Sequence, residues 1–325
     1  MARFTISAIV LVGMLLAVSC RSSANDPAFS RVSFSPDGKS IVFAHAENGG
    51  CFLYIGDLNT RAAKRITKTR SGCENNPSFS SDGKLIVYSF APDSDRKSSL
   101  FIVSADGSDS RRITPSGSDD IYPIFSADNR VVYFVRSGSF GHSSPIAASR
   151  QHDFDLFSVD LTSGAVAQLT QQSLYDLQSL SISPDGKDLM ISTTRYPIGA
   201  LIEIYVIAKP QSARKVFQPH VPDEPKLTAE PEPAFGDACY MPDGLGMLVL
   251  AASNKAGGNY DYNVYLVNTV TGSIDGKLTN LTGMTTGVQV SPDGKTAVLG
   301  NQGKLYLLNL QNRELKPLDW SGLGH

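Results

Sequence analysis

The sequence contains a single tryptophan, Trp320, so it cannot carry a tryptophan-aspartate signature in every unit of a repeat. It also has almost no net charge, with 29 lysines and arginines against 31 aspartates and glutamates. A near-neutral chain excludes nucleic acid as a partner, because phosphate binding needs a basic surface. Neither a Gly-x-Ser-x-Gly segment nor a phosphate-binding glycine loop occurs. Serine-hydrolase and nucleotide-dependent chemistry are therefore not indicated.

The sequence has instead a repeated turn, which first occurs as Ser35-Pro36-Asp37-Gly38-Lys39. A short Asp-Gly turn between two apolar runs indicates a hairpin, because Pro presets φ, Asp bonds its own backbone and Gly accepts a positive φ. The five later copies are Ser81-Asp82-Gly83-Lys84, Ala127-Asp128-Asn129-Arg130, Pro184-Asp185-Gly186-Lys187, Pro242-Asp243-Gly244 and Pro292-Asp293-Gly294-Lys295. Successive copies lie 45 to 58 residues apart, which is typical of the blades of a β-propeller.

Each turn joins two short apolar strands, and these do not alternate apolar with polar residues, so both of their faces should be covered. A third strand carries an aromatic residue at one slot in every repeat, namely Tyr54, Phe101, Phe157, Tyr205, Tyr265 and Tyr306. A fourth strand ends in Arg65-Ile66-Thr67, Arg112-Ile113-Thr114, Gln168-Leu169-Thr170 and, more loosely, Asn280-Leu281-Thr282. The pattern predicts an all-β fold, a six-bladed β-propeller with four antiparallel strands per blade. Strand one of the first blade and strand four of the last both look complete, so exchange of a strand between the termini is not required.

Six such turns, together with the Arg-Ile-Thr and Gln-Leu-Thr blade ends, resemble the TolB-type propeller over essentially residues 27 to 318. The resemblance implies the propeller fold. It does not extend to the additional N-terminal α/β domain of TolB, for which this sequence has no room. We expect a signal peptide at residues 1–19, a linker at 20–26, the propeller at 27–320 and a C-terminal tail at 321–325.

The first twenty residues read as an export signal, because an apolar stretch from Thr5 to Ser19 follows Arg3 and is too short for a membrane span. The stretch ends in Leu16-Ala17-Val18-Ser19-Cys20, which resembles the lipobox of bacterial lipoproteins. That resemblance implies that Cys20 is acylated, and it places the protein in the periplasm or at the outer membrane. Ala17-Val18-Ser19 would equally suit an ordinary signal peptidase, so simple secretion stays open.

Three cysteines remain after Cys20, and an oxidising compartment favours their pairing. Cys51 opens a third strand and Cys73 lies in the connection to the next repeat, so both should be on one face. They are the expected disulfide, with two free thiols as the alternative. Cys239 aligns with Ser33 on a first strand and is expected to be a small buried side chain.

The loops on one face of the predicted propeller vary in length, whereas those on the other face vary little. The distance from the repeated aromatic to the next turn is 27 or 28 residues in four of five cases, whereas two insertions, Ser137 to Asp153 and Phe217 to Pro233, break the period. Antiparallel strands place both insertions on the face opposite the Asp-Gly turns. Insertions on one face of a repeat array commonly mark the binding face.

The chemistry on this insertion face is polar. The predicted partner-binding residues are Arg136, His142, Arg150, His152, Asp120, Asp176 and Glu230. His142 and His152 are ten residues apart, a spacing that matches no compact metal motif, so no metal is expected. Carboxylates before the first strands could form an acidic collar at the channel mouth or be solvated strand-start residues, namely Glu74, Asp119, Asp120, Asp176, Glu230 and Glu232.

Two functions from different classes remain. The first is a binding or scaffold module that holds an envelope protein or peptide, without a cofactor and as a monomer. The second is a carbohydrate-active enzyme, since some propellers of similar appearance are metal-dependent pectin lyases that draw histidines from several blades. The internal histidines here are His45, His142, His152 and His220, and they do not form a visible site. We favour the binding module, because a fold alone does not carry chemistry.

We expect Cys20→Ser to release the protein from membranes, because the serine hydroxyl cannot take the place of the acylated thiol. Fractionation of cells that express either form, followed by immunoblotting, measures the distribution. If wild type and variant were equally soluble, the chain would be secreted without an anchor.

Overall fold

The computed structural model describes residues 31–47, 49–68, 71–95, 97–142, 149–195, 199–217, 235–254 and 260–323. These residues form strands and turns, and they contain no helix long and apolar enough to cross a membrane. The predicted signal peptide and Cys20 lie outside the described residues.

The first three blades each contain four strands. Blade one comprises β1 (Ser33–Phe34), β2 (Ser40–Glu47), β3 (Gly50–Asp57) and β4 (Ala63–Arg65). Blade two comprises β5 (Cys73–Phe79), β6 (Leu85–Ala91), β7 (Ser99–Ser104) and β8 (Arg111–Arg112). Blade three comprises β9 (Asp119–Phe125), β10 (Val131–His142), β11 (Ser149–Asp160) and β12 (Val166–Gln168).

The other three blades repeat this order. Blade four comprises β13 (Asp176–Ile182), β14 (Asp188–Arg195), β15 (Gly199–Val206) and β16 (Lys215–Phe217). Blade five comprises β17 (Phe235–Tyr240), β18 (Gly246–Asn254), β19 (Tyr260–Asn268) and β20 (Ile274–Lys277). Blade six comprises β21 (Thr285–Val290), β22 (Thr296–Asn301), β23 (Lys304–Asn309) and β24 (Leu315–Pro317). Within each blade consecutive strands pair antiparallel, which confirms the predicted fold.

Six apolar clusters hold the blades together, and each cluster draws residues from two neighbouring blades. The repeated aromatic takes part in every cluster. Tyr54, Tyr205 and Tyr265 are buried members, whereas Phe101, Phe157 and Tyr306 are partly buried and pack against the cluster. The aromatic slot is therefore an interblade packing position, as the sequence predicts.

The Asp-Gly turns also contact one another around the ring. A Cβ placed on Gly83 would lie 3.3 Å from Cδ of Pro36, which belongs to the turn of the preceding blade. Four further junctions repeat this contact, through Ala127 with Gly186, Pro184 with Gly244, Pro242 with Gly294 and Pro292 with Gly38. The glycines thus meet two requirements, a φ near +70° and close approach to a neighbouring blade.

The remaining junction, between blades two and three, departs from this rule in both partners. Blade two has Ser81 where the turns of blades one, four, five and six have Pro, and blade three has Asn129 where the other five turns have Gly. The Ser81 N–H donates to Oδ1 of Asn129 over 2.9 Å, and the Ser81 hydroxyl donates to the Ala127 carbonyl over 2.9 Å. Hydrogen bonds therefore replace the apolar contact at this junction.

The ring closes through blade six and the segment that follows it. Trp320 stacks on Phe43 of blade one at 5.4 Å between ring centroids, and Ser321 pairs in parallel with Ala62. Blades one and six keep four strands each, as the sequence predicts. Ser321 and Leu323 fall in the predicted C-terminal tail, yet they bond to or pack against blade one. The packed propeller consequently continues to Leu323 rather than ending at Trp320.

One predicted blade end is wrong. Blade five ends at Lys277-Leu278-Thr279 rather than at Asn280-Leu281-Thr282, because Oγ1 of Thr279 accepts the Val264 N–H over 3.0 Å. The threonines at the other recognised blade ends make the same contact, each with a leucine N–H of its own third strand, through Thr67, Thr114 and Thr170. The threonine therefore ties the end of the fourth strand to the third strand.

We expect Tyr205→Ala to lower the free energy of unfolding by about 3 kcal/mol, because removing a buried aromatic leaves a cavity between blades three and four. Urea denaturation followed by circular dichroism measures the change. Val216→Ala is the matched control, since Val216 is 52% exposed and should change stability little. Equal midpoints for both variants would contradict interblade packing of the aromatic slot.

Candidate functional site

The insertion of blade three is a hairpin rather than the loop that the sequence predicts. β10 and β11 pair without a shift in register from Val131↔Asp160 to His142↔Ser149. The register established inside the blade continues outward, because the two strands are already aligned where they leave it. β9 pairs with β10 only as far as Ser137, so Gly138 to His142 extend beyond the four-stranded part of the blade. We call the paired residues 138–142 and 149–153 the blade-three extension.

A buried ion pair supports the base of this extension. Asp120 has no exposed surface and accepts two hydrogen bonds from Arg136, Nε–Oδ1 at 2.6 Å and Nη2–Oδ2 at 2.9 Å. The Arg136 guanidinium also lies 4.8 Å from the ring centroid of Phe157 and 5.3 Å from that of Phe134. Bidentate pairing and stacking hold the guanidinium in one orientation.

Polar contacts continue up the extension. The Ser137 hydroxyl lies 2.9 Å from Oε1 of Gln151 and 2.9 Å from the His152 carbonyl. His152 Nδ1 is 3.0 Å from Oδ2 of Asp153. Hydrogen bonding from Ser139 and the nearby His152 hold the pKa of Asp153 below its ordinary value. At the outer end, Phe140 is 48% exposed.

The structure brings together only some of the predicted site residues. Arg136, Asp120 and His152 belong to blade three and its extension, while Arg150 and His142 lie on the paired backbone of the outer end. The His142 and Arg150 side chains, like Glu230, lie outside what is described. Asp176 lies at the start of β13 in blade four, where Oδ2 accepts a hydrogen bond from Nε2 of Gln178 at 2.9 Å.

The described acidic residues at the strand starts form neither a water-exposed collar nor a set of solvated side chains, and Glu230 and Glu232 lie outside the described residues. Glu74, Asp119, Asp120 and Asp176 are each at most 7% exposed. Asp119 accepts the Ser98 N–H over 2.9 Å, and Glu74 accepts the Leu53 N–H over 3.0 Å and a hydroxyl hydrogen bond from Thr67. These carboxylates satisfy buried donors of the chain, so they fix the connections on the insertion face.

The sequence prediction missed further polar residues that bind buried donors in the same way. Asp155 accepts hydrogen bonds from the Thr170 hydroxyl at 2.7 Å and from the Gln172 N–H at 2.6 Å. Asn263 accepts from the Thr279 hydroxyl at 3.0 Å and from the Leu281 N–H at 2.7 Å. Both lie two residues before the repeated aromatic, as Glu203 does. These residues could have been found in the sequence, because each is a polar residue two positions before the repeated aromatic.

Cys51 and Cys73 form a disulfide, which is the pairing that the sequence favours. Cys73 opens β5 rather than lying in the connection before it, and it pairs in parallel with Cys51 of β3. The bond therefore joins blades one and two on the insertion face. Cys239 is 1% exposed in β17, which confirms its prediction as a small buried side chain.

The internal histidines are dispersed. His45 packs edge-on against Tyr54 in blade one at 5.7 Å between ring centroids, His152 lies in blade three, and His220 lies outside the described residues. Within the described ranges, no three His, Cys, Asp or Glu side chains come together in a way that could hold a metal ion.

Glu74 should make stability depend on pH. Burial raises the pKa of Glu74 to about 7 from an ordinary 4.5, against the opposing effect of its hydrogen bonds from Thr67 and Leu53. Stability linked to a raised pKa is fully present below the unfolded pKa and is lost as pH rises through the folded one. The window is therefore pH 4.5 to 7, and the loss is about 3 kcal/mol.

We expect Glu74→Gln to abolish this loss, because the amide keeps an acceptor oxygen but cannot ionise. Melting temperatures between pH 4 and 8 measure the effect. Asp82→Asn is the control, since a hydrogen bond from Ser80 lowers the pKa of Asp82 and its contribution is lost as pH falls instead. Parallel profiles for wild type and Glu74→Gln would refute the assignment.

The sequence matches a known protein family. The TolB beta propeller domain family matches residues 17–206. A TolB homolog of Chlorobium luteolum is 34% identical over 112 residues, which are 34% of this chain and 24% of that protein. This chain thus spans about a quarter of that relative's length.

Solved structures agree in fold. TolB from Acinetobacter baumannii superposes with a TM-score of 0.59 and 18% identity, covering 91% of this chain and 64% of that one. An oligogalacturonate lyase from Vibrio parahaemolyticus superposes with a TM-score of 0.56 and 15% identity, covering 93% of this chain and 81% of that one. At such identities the structures support the fold alone, whereas the family match covers more than half of the sequence. The chain therefore belongs to the TolB beta propeller domain family.

Proposed function

We propose that this protein is an exported, lipid-anchored propeller of the periplasm or outer membrane that holds a protein or peptide partner of the cell envelope. The observation that carries the proposal is the blade-three extension, whose strands continue past the four-stranded part of the blade on the insertion face. Five residues beyond Ser137 correspond to about 17 Å of strand. A paired projection on a rigid ring suits a docking element.

The base of the extension is built to be rigid. Asp120 and Arg136 neutralise each other, so we assign them to supporting the extension rather than to contacting the partner. The partner would meet the outer end, where Phe140 is 48% exposed, with His142, Arg150 and His152 on the neighbouring positions. Tyr175, 41% exposed before β13, lies on the same face. Exposed aromatic residues are enriched at protein interfaces.

The opposite face is more constrained in loop length. Neighbouring turns contact one another, and in four of the six a lysine or arginine lies within 4.0 Å of its own aspartate, as in Lys187 with Asp185 at 3.4 Å. Added length there would break contacts between blades, whereas loops on the insertion face can lengthen at low entropic cost. The difference supports placing partner recognition on the insertion face.

We expect replacement of Ser139 to Gln151 by a short Gly-Ser linker to abolish partner recovery while the propeller stays folded. The removed strands pair only with each other, so no four-stranded blade is cut. A pull-down from envelope extract with the mature protein measures recovery, and the melting temperature reports folding. Phe140→Ala is a smaller change and should weaken recovery without altering melting.

The control carries Lys39→Gln, Lys84→Gln and Lys187→Gln on the opposite face and should recover the partner normally. Full recovery by the folded linker variant, with loss of recovery in the lysine variant, would place the working surface on the turn face instead.

A second candidate is a metal-dependent polysaccharide lyase, which the superposition on the oligogalacturonate lyase favours. It requires histidines from several blades to meet at the channel mouth, and His45 and His152 do not belong to a common cluster. Elemental analysis of purified protein, with a lyase assay on oligogalacturonate, separates the two functions. Stoichiometric metal with lyase activity would favour the enzyme.

A further inference from the structure

The Arg31 side chain crosses the centre of the propeller. Arg31, 9% exposed, comes just before β1, and its Nη2 donates a hydrogen bond to the carbonyl of Leu180. Leu180 belongs to blade four, which lies opposite blade one in a ring of six. The guanidinium carbon also lies 5.6 Å from the ring centroid of Tyr122 in blade three. The side chain therefore spans the central channel.

Two buried polar atoms at this crossing have no hydrogen-bond partner among the residues that the structure describes. They are Nη1 of Arg31 and Oε1 of Gln289 in blade six. Both residues line the same cavity of about 20 Å³, together with Ser33, Ser78, Pro77 and Pro123. A cavity of this size holds one species not much larger than water. It is too small for a tetrahedral oxyanion.

Arg31 forms no ion pair within 4.0 Å with any carboxylate of the described residues. Asp237 interacts with it electrostatically, but no ion pair within 4.0 Å joins the two. Instead, Oδ2 of Asp237 accepts the Gly287 N–H over 2.5 Å. Burial raises the pKa of Asp237, and the nearby charge of Arg31 acts in the opposite direction. Burial also raises the pKa of Tyr122, so its hydroxyl stays neutral. A buried cation without an ion-pair partner is costly, so a compensating charge is expected.

We propose that the cavity binds a single monoatomic anion of the chloride class. The two ends of the Gln289 amide can be exchanged by rotating the group, and the turned amide presents N–H to the cavity. Arg31 and the turned Gln289 then offer two donors from blades one and six, and Ser78 of blade two lines the same cavity. A guest that only accepts hydrogen bonds matches these donors, and its charge offsets the guanidinium. Water would satisfy the hydrogen bonds but leave the charge.

The first test measures melting temperature as sodium gluconate is replaced by sodium chloride at constant ionic strength and pH. Gluconate is too large for the cavity, so only chloride should stabilise the fold, by about 3 °C for each tenfold increase once the site fills. Arg31→Met should lose this dependence. Arg130→Met should retain it, because the Arg130 side chain is 79% exposed on the turn face. Equal melting of wild type in both salts overturns the proposal and leaves water as the occupant.

The second test does not depend on whether Arg31→Met folds. Crystals of the wild-type protein grown or soaked in sodium bromide are measured at the bromine absorption edge. An anomalous peak between Arg31 and Gln289 supports the site. Bromide found only on the surface, or absent from the channel, overturns it.

Discussion

Each blade of this propeller has two apolar faces and can bury neither of them alone. Every one of the six apolar clusters is therefore shared by two blades, and the last cluster joins Val298 and Leu305 of blade six to Val32 and Phe43 of blade one. Closure of the ring is the condition for all other packing, because an open array would expose one face at each end. Trp320 reinforces the junction on which that condition depends.

Periodicity explains why the architecture could be predicted from the sequence. Turns at a regular spacing, together with one aromatic slot such as Tyr205, are properties of single positions and need no knowledge of distant partners. The burial of the charged residues could not be predicted in this way. Asp120 is buried because Arg136 on the adjacent strand pairs with it, and Glu74 is buried because Leu53 in another blade donates to it. In sequence, such acids look the same as solvated ones.

Local sequence also led to a wrong prediction where two neighbouring segments have similar residues. Asn280-Leu281-Thr282 and Lys277-Leu278-Thr279 both carry Leu-Thr, and only the hydrogen bond from Val264 to Thr279 distinguishes them. The blade-three insertion contains serines and glycines typical of loops, yet it continues as strands because the blade below aligns them. In both cases tertiary context overrode local preference, and the fold class was unaffected.

The junction between blades two and three restricts the order in which the blades can be arranged. Ser81 stands where four of the other turns have Pro, Asn129 stands where the other five turns have Gly, and the Ser81 N–H donates to the Asn129 side chain. A duplicated copy of blade two would put a serine against a glycine that cannot accept its N–H, and a moved blade three would put an asparagine against a proline that cannot donate. The blades share one fold, but blades two and three are not interchangeable with the others. Chain rearrangements that keep this pair adjacent, such as circular permutation elsewhere in the ring, respect that order.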